Sequence, residues 1–216
     1  MRITQENAWL ERDGEGPAVV VPKFMADTIE EFIRLARTSP HVNQQSGVSV
    51  RGSIASMETL VSNAERRGIL LGEKCVVPRI SDLANVNASC RGKIELMLAE
   101  DEQAEDKLIA ALLGEAVKNV AAHYLELDTL EPIIQQFQAG KVNVEIGDDL
   151  RADQIVKSAG AIRDLLKTAK KLCTDAGLSA DDPAAQASAA EFILEALYVN
   201  DRLSKYIYRG STFYKR

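Results

Sequence analysis

The stretch Ser-Gly-Val-Ser-Val-Arg, residues 46–51, places small residues and one arginine directly before an amphipathic run at residues 53–67, SIASMETLVSNAERR. The beginning of a helix attracts anions, because it presents unpaired backbone N–H groups and the positive end of the helix dipole. The guanidinium of Arg51 is always charged and can donate two hydrogen bonds to one phosphate. Gly47 and Gly52 would allow a ligand to approach the backbone beside it. A solvated surface arginine is the alternative interpretation of the same pattern.

Other groups that commonly perform catalysis are few. The two histidines, His41 and His123, lack the spacing of metal ligands, and His123 falls near the predicted end of a long helix, where a cation suits the dipole. The chain contains no Gly-x-Ser-x-Gly, His-Glu-x-x-His or Walker A motif; residues 68–75, GILLGEKC, approach the last of these with the wrong spacing. We therefore expect structural roles for both histidines, no metal site, and no nucleotide hydrolysis by this chain alone.

The acidic composition argues against several classes of protein. A net charge of −6 disfavours a nucleic-acid partner, which requires a basic face, and leaves a helix-turn-helix DNA binder as a weak alternative. No apolar run approaches the roughly 20 residues of a membrane span, and the first residues do not resemble a signal peptide. Cys75, Cys90 and Cys173 lack metal-ligand spacing and are predicted to be buried free thiols. These features predict a cytoplasmic protein without a membrane partner.

The secondary-structure elements that position Arg51 are predicted to be mainly helical. Aromatic residues make up only 5% of the chain, so the core must rest on aliphatic side chains, which suits packed helices. An Asp27–Glu30 capping box and Pro40 predict the start and end of one helix, and Gly68 predicts the end of the helix that follows Arg51. Apolar residues at the helical period also predict further helices, which fall within residues 79–96, 100–125, 127–140, 161–173 and 184–206. The predicted fold is a mostly helical, multi-helix bundle that can include one small β-hairpin or short sheet.

Two segments are less helical in pattern. Residues 141–146, KVNVEI, alternate apolar and polar side chains and predict a short strand, whose obvious partners are residues 75–77 and 18–21. The tail at residues 205–216, KYIYRGSTFYKR, mixes aromatic and basic residues. This tail fits four alternatives: docking on the body of the protein, docking on a neighbouring subunit, docking on a partner, or a frayed terminus.

The ordered motifs resemble one protein family. Three segments carry the resemblance: residues 39–73, with the S-G-V-S-x-R and A-E-R-R motifs, VPRISDL at 77–83, and GKIEL at 92–96. In this order they are similar to the region that follows the ATPase core in AAA+ proteins like the magnesium-chelatase ATPase subunit. Those proteins are relatives of the MoxR-type ATPases. LEPIIQQF at residues 130–137 and ASAAEFILEALYVNDRLSK at residues 187–205 also resemble that group. The resemblance therefore extends over nearly the whole chain.

This resemblance implies a helical lid domain at residues 1–100 and a family-specific helical extension at residues 101–216. It matches Arg51 to the sensor-2 arginine, which contacts ATP, with Gly47 and Gly52 beside it. The parent protein would use ATP and Mg²⁺, but its Walker motifs lie in a core domain outside these residues. Because these residues lack the Walker motifs, the chain is expected to be inactive alone. The start of the chain resembles the connection out of that core, which favours an excised fragment.

The resemblance further implies partners: the amino-terminal AAA+ core of the same protein, further copies in a homo-oligomeric ring, commonly a hexamer, and a protein with a von Willebrand factor A domain. For the remaining motif residues we expect helix capping or surface pairing by Arg66 and Arg67, and an Arg79–Asp82 contact that starts the next helix. The alternative function is a free-standing, non-enzymatic helical adaptor that binds proteins and no nucleotide.

Overall fold

Eight helices and two small sheets make up the part of the chain described by the computed structural model, which comprises residues 8, 16–43, 48, 50–90, 104–140, 142–208 and 211–215. The helices are α1 (Lys23–Thr38), α2 (Val50–Leu71), α3 (Val86–Cys90), α4 (Ala104–Tyr124), α5 (Glu131–Gln138), α6 (Ala152–Gly160), α7 (Leu165–Asp175) and α8 (Pro183–Val199). Segments of 3-10 helix at Ile80–Asn85 and Leu127–Leu130 precede α3 and α5. The predicted mostly helical bundle with a small sheet is confirmed.

The strands form one parallel pair and one antiparallel sheet. Strands β1 (Ala18–Val19) and β2 (Cys75–Val76) are parallel, whereas β3 (Val144–Ile146), β4 (Ser204–Tyr208) and β5 (Ser211–Lys215) are ordered β3-β5-β4. The predicted strand at residues 141–146 is therefore present, but its expected partners were wrong. Residues 18–19 and 75–76 pair with each other, and β3 pairs with the carboxy-terminal β5, whose Tyr214 is fully buried opposite Val144.

The carboxy-terminal tail is docked on the body of the protein. β4 and β5 pair in antiparallel register, and the hydroxyl of Tyr214 donates a hydrogen bond to the Glu195 carboxylate at 2.5 Å. The Lys205 ammonium lies 2.7 Å from the same carboxylate. Among the alternatives that the sequence left open for this tail, the described residues show docking on the chain itself.

Helix α8 lies at the centre of the bundle. Every residue from Ala184 to Leu197 is buried, because α4, α6, α7 and the 3-10 segment before α3 pack around this helix. Its start is fixed by Asp182, whose carboxylate accepts a hydrogen bond from the Ala184 N–H at 3.0 Å, and by Pro183 in the first turn. A helix that is apolar on all sides is expected in a core.

One core runs through both predicted halves of the chain. α1 packs along α4, and the Phe24 ring of α1 lies 4.8 Å from that of Phe192 in α8 and 6.3 Å from that of Tyr124. The buried apolar side chains form one cluster that extends from Phe24 to Tyr214. The division between residues 1–100 and 101–216 stays a prediction about family architecture, and the halves pack together.

Two helix boundaries differ from the prediction. α1 begins at Lys23 after Pro22, so Asp27 is not a cap: its carboxylate accepts hydrogen bonds within the bundle from Lys23 Nζ at 2.8 Å and Tyr124 Oη at 2.7 Å. α2 continues past Gly68 to Leu71, and Gly72 with φ of 67° follows it. Gly68 is instead a point of close packing, because a Cβ on it would lie 2.7 Å from Val76 Cγ1 and 2.8 Å from Pro17 Cγ.

The cysteines differ in exposure. Cys90 and Cys173 are buried free thiols, as predicted, and burial raises the pKa of Cys173 to about 11. Cys75 is free but exposed, because it begins the two-residue strand β2 at the surface. None of the helices in the described ranges combines the length and the apolar character that a membrane crossing requires.

Candidate functional site

Arg51 lies in the first turn of α2 and its side chain is exposed. Val48, two residues before the helix, is held by Arg37 at the end of α1, whose Nε donates a hydrogen bond to the Val48 carbonyl at 3.1 Å. Val48 itself is buried. The fold therefore brings a second guanidinium close to the beginning of α2, at the end of the helix that favours anions.

Of the two glycines beside Arg51 in the sequence, Gly52 lies within the described residues. Gly52 is buried, and a Cβ on it would meet Ile33 Cδ1 at 3.5 Å and Val48 Cγ1 at 3.6 Å, which are ordinary contacts. Packing against the described residues therefore does not require glycine here, and a role in admitting a ligand stays a prediction. Gly47 lies outside the described residues.

A groove of about 400 Å³ adjoins this region between α1 and α4. Its lining carries three carboxylates, those of Asp27, Glu30 and Glu31, beside Arg34 and Arg37. Arg34 is neutralised by a two-point ion pair with Glu31, at 2.6 and 2.7 Å, and this contact lowers the pKa of Glu31. The groove is therefore a poor phosphate site, and Arg51 and Arg37 are the candidate anion-binding residues at this end of the bundle.

The opposite end of α2 carries the A-E-R-R arginines. Arg66 lies at the surface, where its Nη2 is 2.6 Å from Asp148 Oδ2 and both side chains are half exposed, which confirms the predicted surface pairing. For Arg67 the prediction was wrong. Its side chain is 1% exposed, because the connection from α2 to the 3-10 segment folds back over it.

Arg67 makes a buried, multiply bonded ion-pair cluster. Its Nε and Nη2 donate to the two carboxylate oxygens of Asp82 at 3.1 and 3.0 Å, and its Nη1 donates to Glu73 at 3.1 Å. Nη2 also donates to the Val77 carbonyl at 3.1 Å. Glu73 continues the cluster by accepting from the Ala152 N–H at 2.7 Å, so the end of α2 is tied to the start of α6.

Arg79 and Asp82 form the predicted start of the next helical segment. The Arg79 N–H donates to Asp82 Oδ2 at 2.8 Å, and the Asp82 N–H donates to the Arg79 carbonyl at 3.0 Å. The Arg79 guanidinium is also buried: its Nη2 donates to the Leu150 carbonyl at 2.9 Å, and its Nη1 lies 3.6 Å from Glu191 Oε1. Burial lowers the pKa of Arg79 and raises the pKa of Glu191.

Sequence reasoning missed two buried carboxylates of α8, of which Glu191 contacts this cluster and Glu195 contacts the carboxy-terminal strands. Glu191 and Glu195 lie one turn apart and are the only charged residues in the mainly apolar run at residues 184–199. The signal was available, because carboxylates in a helix with no polar face must be buried and therefore need partners. Glu191 accepts from the Ser81 N–H at 3.0 Å, and Glu195 accepts from Lys205 and Tyr214.

The histidines lie away from this cluster. His123 is exposed in the last turn of α4, as its predicted place near a helix end requires, and His41 follows α1 with its N–H directed at Ser39 Oγ. Within the described ranges, no group of three or more histidine, cysteine, aspartate or glutamate side chains is arranged to hold a metal ion.

The arrangement supports binding and positioning of an anion rather than a complete reaction. Arg51 is an exposed cation at the anion-favouring end of a 22-residue helix whose far end is locked by buried ion pairs. Comparison of the chain with protein-family models, with curated proteins and with solved structures finds no match. The family resemblance therefore enters the argument as a proposal.

Proposed function

We propose that this chain is the helical lid and carboxy-terminal extension of a magnesium-chelatase-like, MoxR-related AAA+ ATPase. In this proposal Arg51 is the sensor-2 arginine, which binds ATP phosphate oxygens and stabilises charge on the transferring γ-phosphate. ATP and Mg²⁺ are bound chiefly by the amino-terminal AAA+ core of the parent protein. The chain by itself has no ATPase activity.

The position of Arg51 on α2 supports this proposal. A helix of 22 residues is about 33 Å long, and Arg67 lies roughly 24 Å further along it than Arg51. Arg51 is exposed at one end, and Arg67 is buried in contact with the connection to the rest of the bundle. A rotation imposed at Arg51 would therefore be carried as movement of a rigid rod into the carboxy-terminal helices.

The parent assembly follows from the same proposal. We infer a cytoplasmic homo-oligomeric ring, commonly a hexamer in this superfamily, which uses ATP hydrolysis to remodel a partner protein. A protein with a von Willebrand factor A domain is the proposed partner class. No nucleic acid is proposed, since the chain carries a net charge of −6.

ATP turnover by the parent ATPase tests the role of Arg51. Arg51→Ala should lower turnover by about tenfold or more, as expected for removing a cation that stabilises transition-state charge. Arg66→Ala is the matched control, because Arg66 is an exposed arginine at the other end of the same helix. Unchanged turnover in Arg51→Ala, with the helix content retained, would refute the sensor-2 assignment.

A second candidate function is a non-enzymatic adaptor that binds proteins. It is favoured by the exposed residues of β4, where the Ile207 side chain is 75% exposed and Tyr208 56% exposed at the edge of the sheet. The gene sequence upstream of Met1 separates the two functions. An in-frame Walker A motif supports the ATPase, whereas a stop codon followed by a genuine start site supports the adaptor.

A further inference from the structure

A cleft of about 480 Å³ opens between the 3-10 segment Ile80–Asn85, helices α4 and α8, and the face of the β3-β5-β4 sheet. One wall is formed by α4, which contributes Leu113, Gly114 and Val117. The opposite wall is formed by the sheet, which contributes Ile207 and Ile146. The volume lies within the range of small-molecule binding sites, and most of the lining is apolar.

The polar groups of the cleft carry no net charge. The Glu195 carboxylate is neutralised by Lys205 Nζ at 2.7 and 2.9 Å and accepts a hydrogen bond from Tyr214. Lys205 also lies 4.3 Å above the Tyr198 ring, which keeps the ammonium in place. A charged ligand would find no unpaired opposite charge among these groups, so the cleft favours an uncharged molecule.

One polar group in the lining has unused hydrogen-bonding capacity. The Ser81 hydroxyl is buried and has no hydrogen-bond partner among the described residues, whereas its N–H is bonded to Glu191 at 3.0 Å. Buried hydroxyls are normally hydrogen-bonded, and leaving one unpaired costs free energy. A ligand with one donor or acceptor group could satisfy this hydroxyl.

We propose that this cleft is a binding site for an uncharged, mainly apolar small molecule that hydrogen-bonds Ser81 and packs its apolar body against α4 and Ile207. The proposal does not depend on the nucleotide-binding role of Arg51. Because the cleft joins α4, α8, the 3-10 segment and the sheet, an occupant would stabilise the contact between elements from both halves of the chain.

Fluorescence titration of the full chain with N-phenyl-1-naphthylamine tests the proposal. This probe is uncharged, apolar and carries one N–H, and its emission rises in an apolar site. We expect saturable 1:1 binding. Gly114→Leu, which fills the cleft, should weaken binding about tenfold or more, and Ser81→Ala about fivefold through loss of one hydrogen bond. An absence of saturable binding overturns the proposal.

Ala111→Leu is the matched control, because Ala111 is exposed on the same helix and outside the cleft lining. It should leave the dissociation constant within about twofold of the parent chain. Equal weakening by Gly114→Leu and Ala111→Leu, or none by either, would place the probe elsewhere and overturn the proposal. If circular dichroism shows that Gly114→Leu is unfolded, Ser81→Ala decides, and an unchanged dissociation constant in that variant contradicts the site.

Discussion

Arg67 and Asp82, fifteen residues apart along the chain, form a two-point ion pair in which both side chains are 1% exposed. Two N–H groups on one side of the planar guanidinium donate to the two carboxylate oxygens of Asp82. The Glu73 carboxylate and the Val77 carbonyl accept further hydrogen bonds from the same guanidinium. Such a pair stabilises a fold little compared with an apolar replacement of the same shape. Removing one partner, however, leaves a buried charge uncompensated.

Arg67→Ala should therefore lower the free energy of unfolding by about 3–5 kcal/mol, because Asp82 and Glu73 would remain buried without their cation. Urea unfolding followed by circular dichroism measures this change. Arg66→Ala is the control: its half-exposed pair with Asp148 should contribute less than about 0.5 kcal/mol. Similar effects of the two substitutions would mean that Arg67 is solvated.

Glu191 should make the stability of the chain depend on pH. It is fully buried, its Oε1 lies 3.6 Å from Arg79 Nη1, and burial raises its pKa above the ordinary value of 4.5. The unfolded chain releases this proton near pH 4.5, and the folded chain releases it only at higher pH. Between these values the folded state binds more protons, so this group makes the free energy of unfolding fall as the pH rises.

Glu191→Gln isolates this contribution, because the amide stays neutral while Arg79, Asp82 and Arg67 are still present. The unfolding free energy of the variant minus that of the parent chain should increase with pH, starting near pH 4.5 and levelling above the folded-state pKa of Glu191. The increase is about 1.4 kcal/mol for each unit by which the pKa is raised. Urea unfolding between pH 4 and pH 8 measures it, and a difference that is constant or decreases with pH would contradict a raised pKa.

Periodicity predicted most of the helices because it reports the buried face of each one. The apolar spacing of α4 is visible in the sequence, and this helix lies where the pattern places it. Residues 184–206 were predicted as one helix, but α8 ends at Val199 and residues 204–206 belong to β4, and helix α6 was not predicted. Helix boundaries were less predictable. The Asp27–Glu30 spacing matched a capping box, yet the apolar contacts of Phe24 extend α1 back to Lys23.

Tertiary contacts determine two features that the sequence pattern did not predict: the burial of Arg67 and the hairpin of β4 and β5. Arg66 and Arg67 are adjacent and chemically identical, and only the fold of residues 72–82 over one face of α2 distinguishes the surface arginine from the buried one. The hairpin of β4 and β5 was not predicted because its turn lacks the usual sequence signal. Its two strands are separated by Arg209–Gly210 and not by Asn-Gly or Asp-Gly, the usual hairpin signals.

Two glycines in α2 make a matched test of close packing. A Cβ on Gly68 would lie 2.7 Å from Val76 Cγ1 and 2.8 Å from Pro17 Cγ, distances that require the β1–β2 segment to shift. Overpacking of this kind costs roughly 1–3 kcal/mol and outweighs the gain of up to about 1 kcal/mol from replacing glycine inside a helix. Gly68→Ala should therefore lower the free energy of unfolding.

Gly52→Ala should have the opposite sign. Its Cβ would meet Ile33 and Val48 at 3.5 and 3.6 Å, which are ordinary contacts, so the smaller entropy of the unfolded chain should raise the free energy of unfolding by about 0.4–1 kcal/mol. Urea unfolding of both variants decides the signs, and destabilisation by Gly52→Ala would contradict the packing described for it. In the proposed parent ATPase, a fall in turnover of this well-folded variant would indicate that a ligand approaches the backbone at Gly52, since no contact with the described residues requires glycine there.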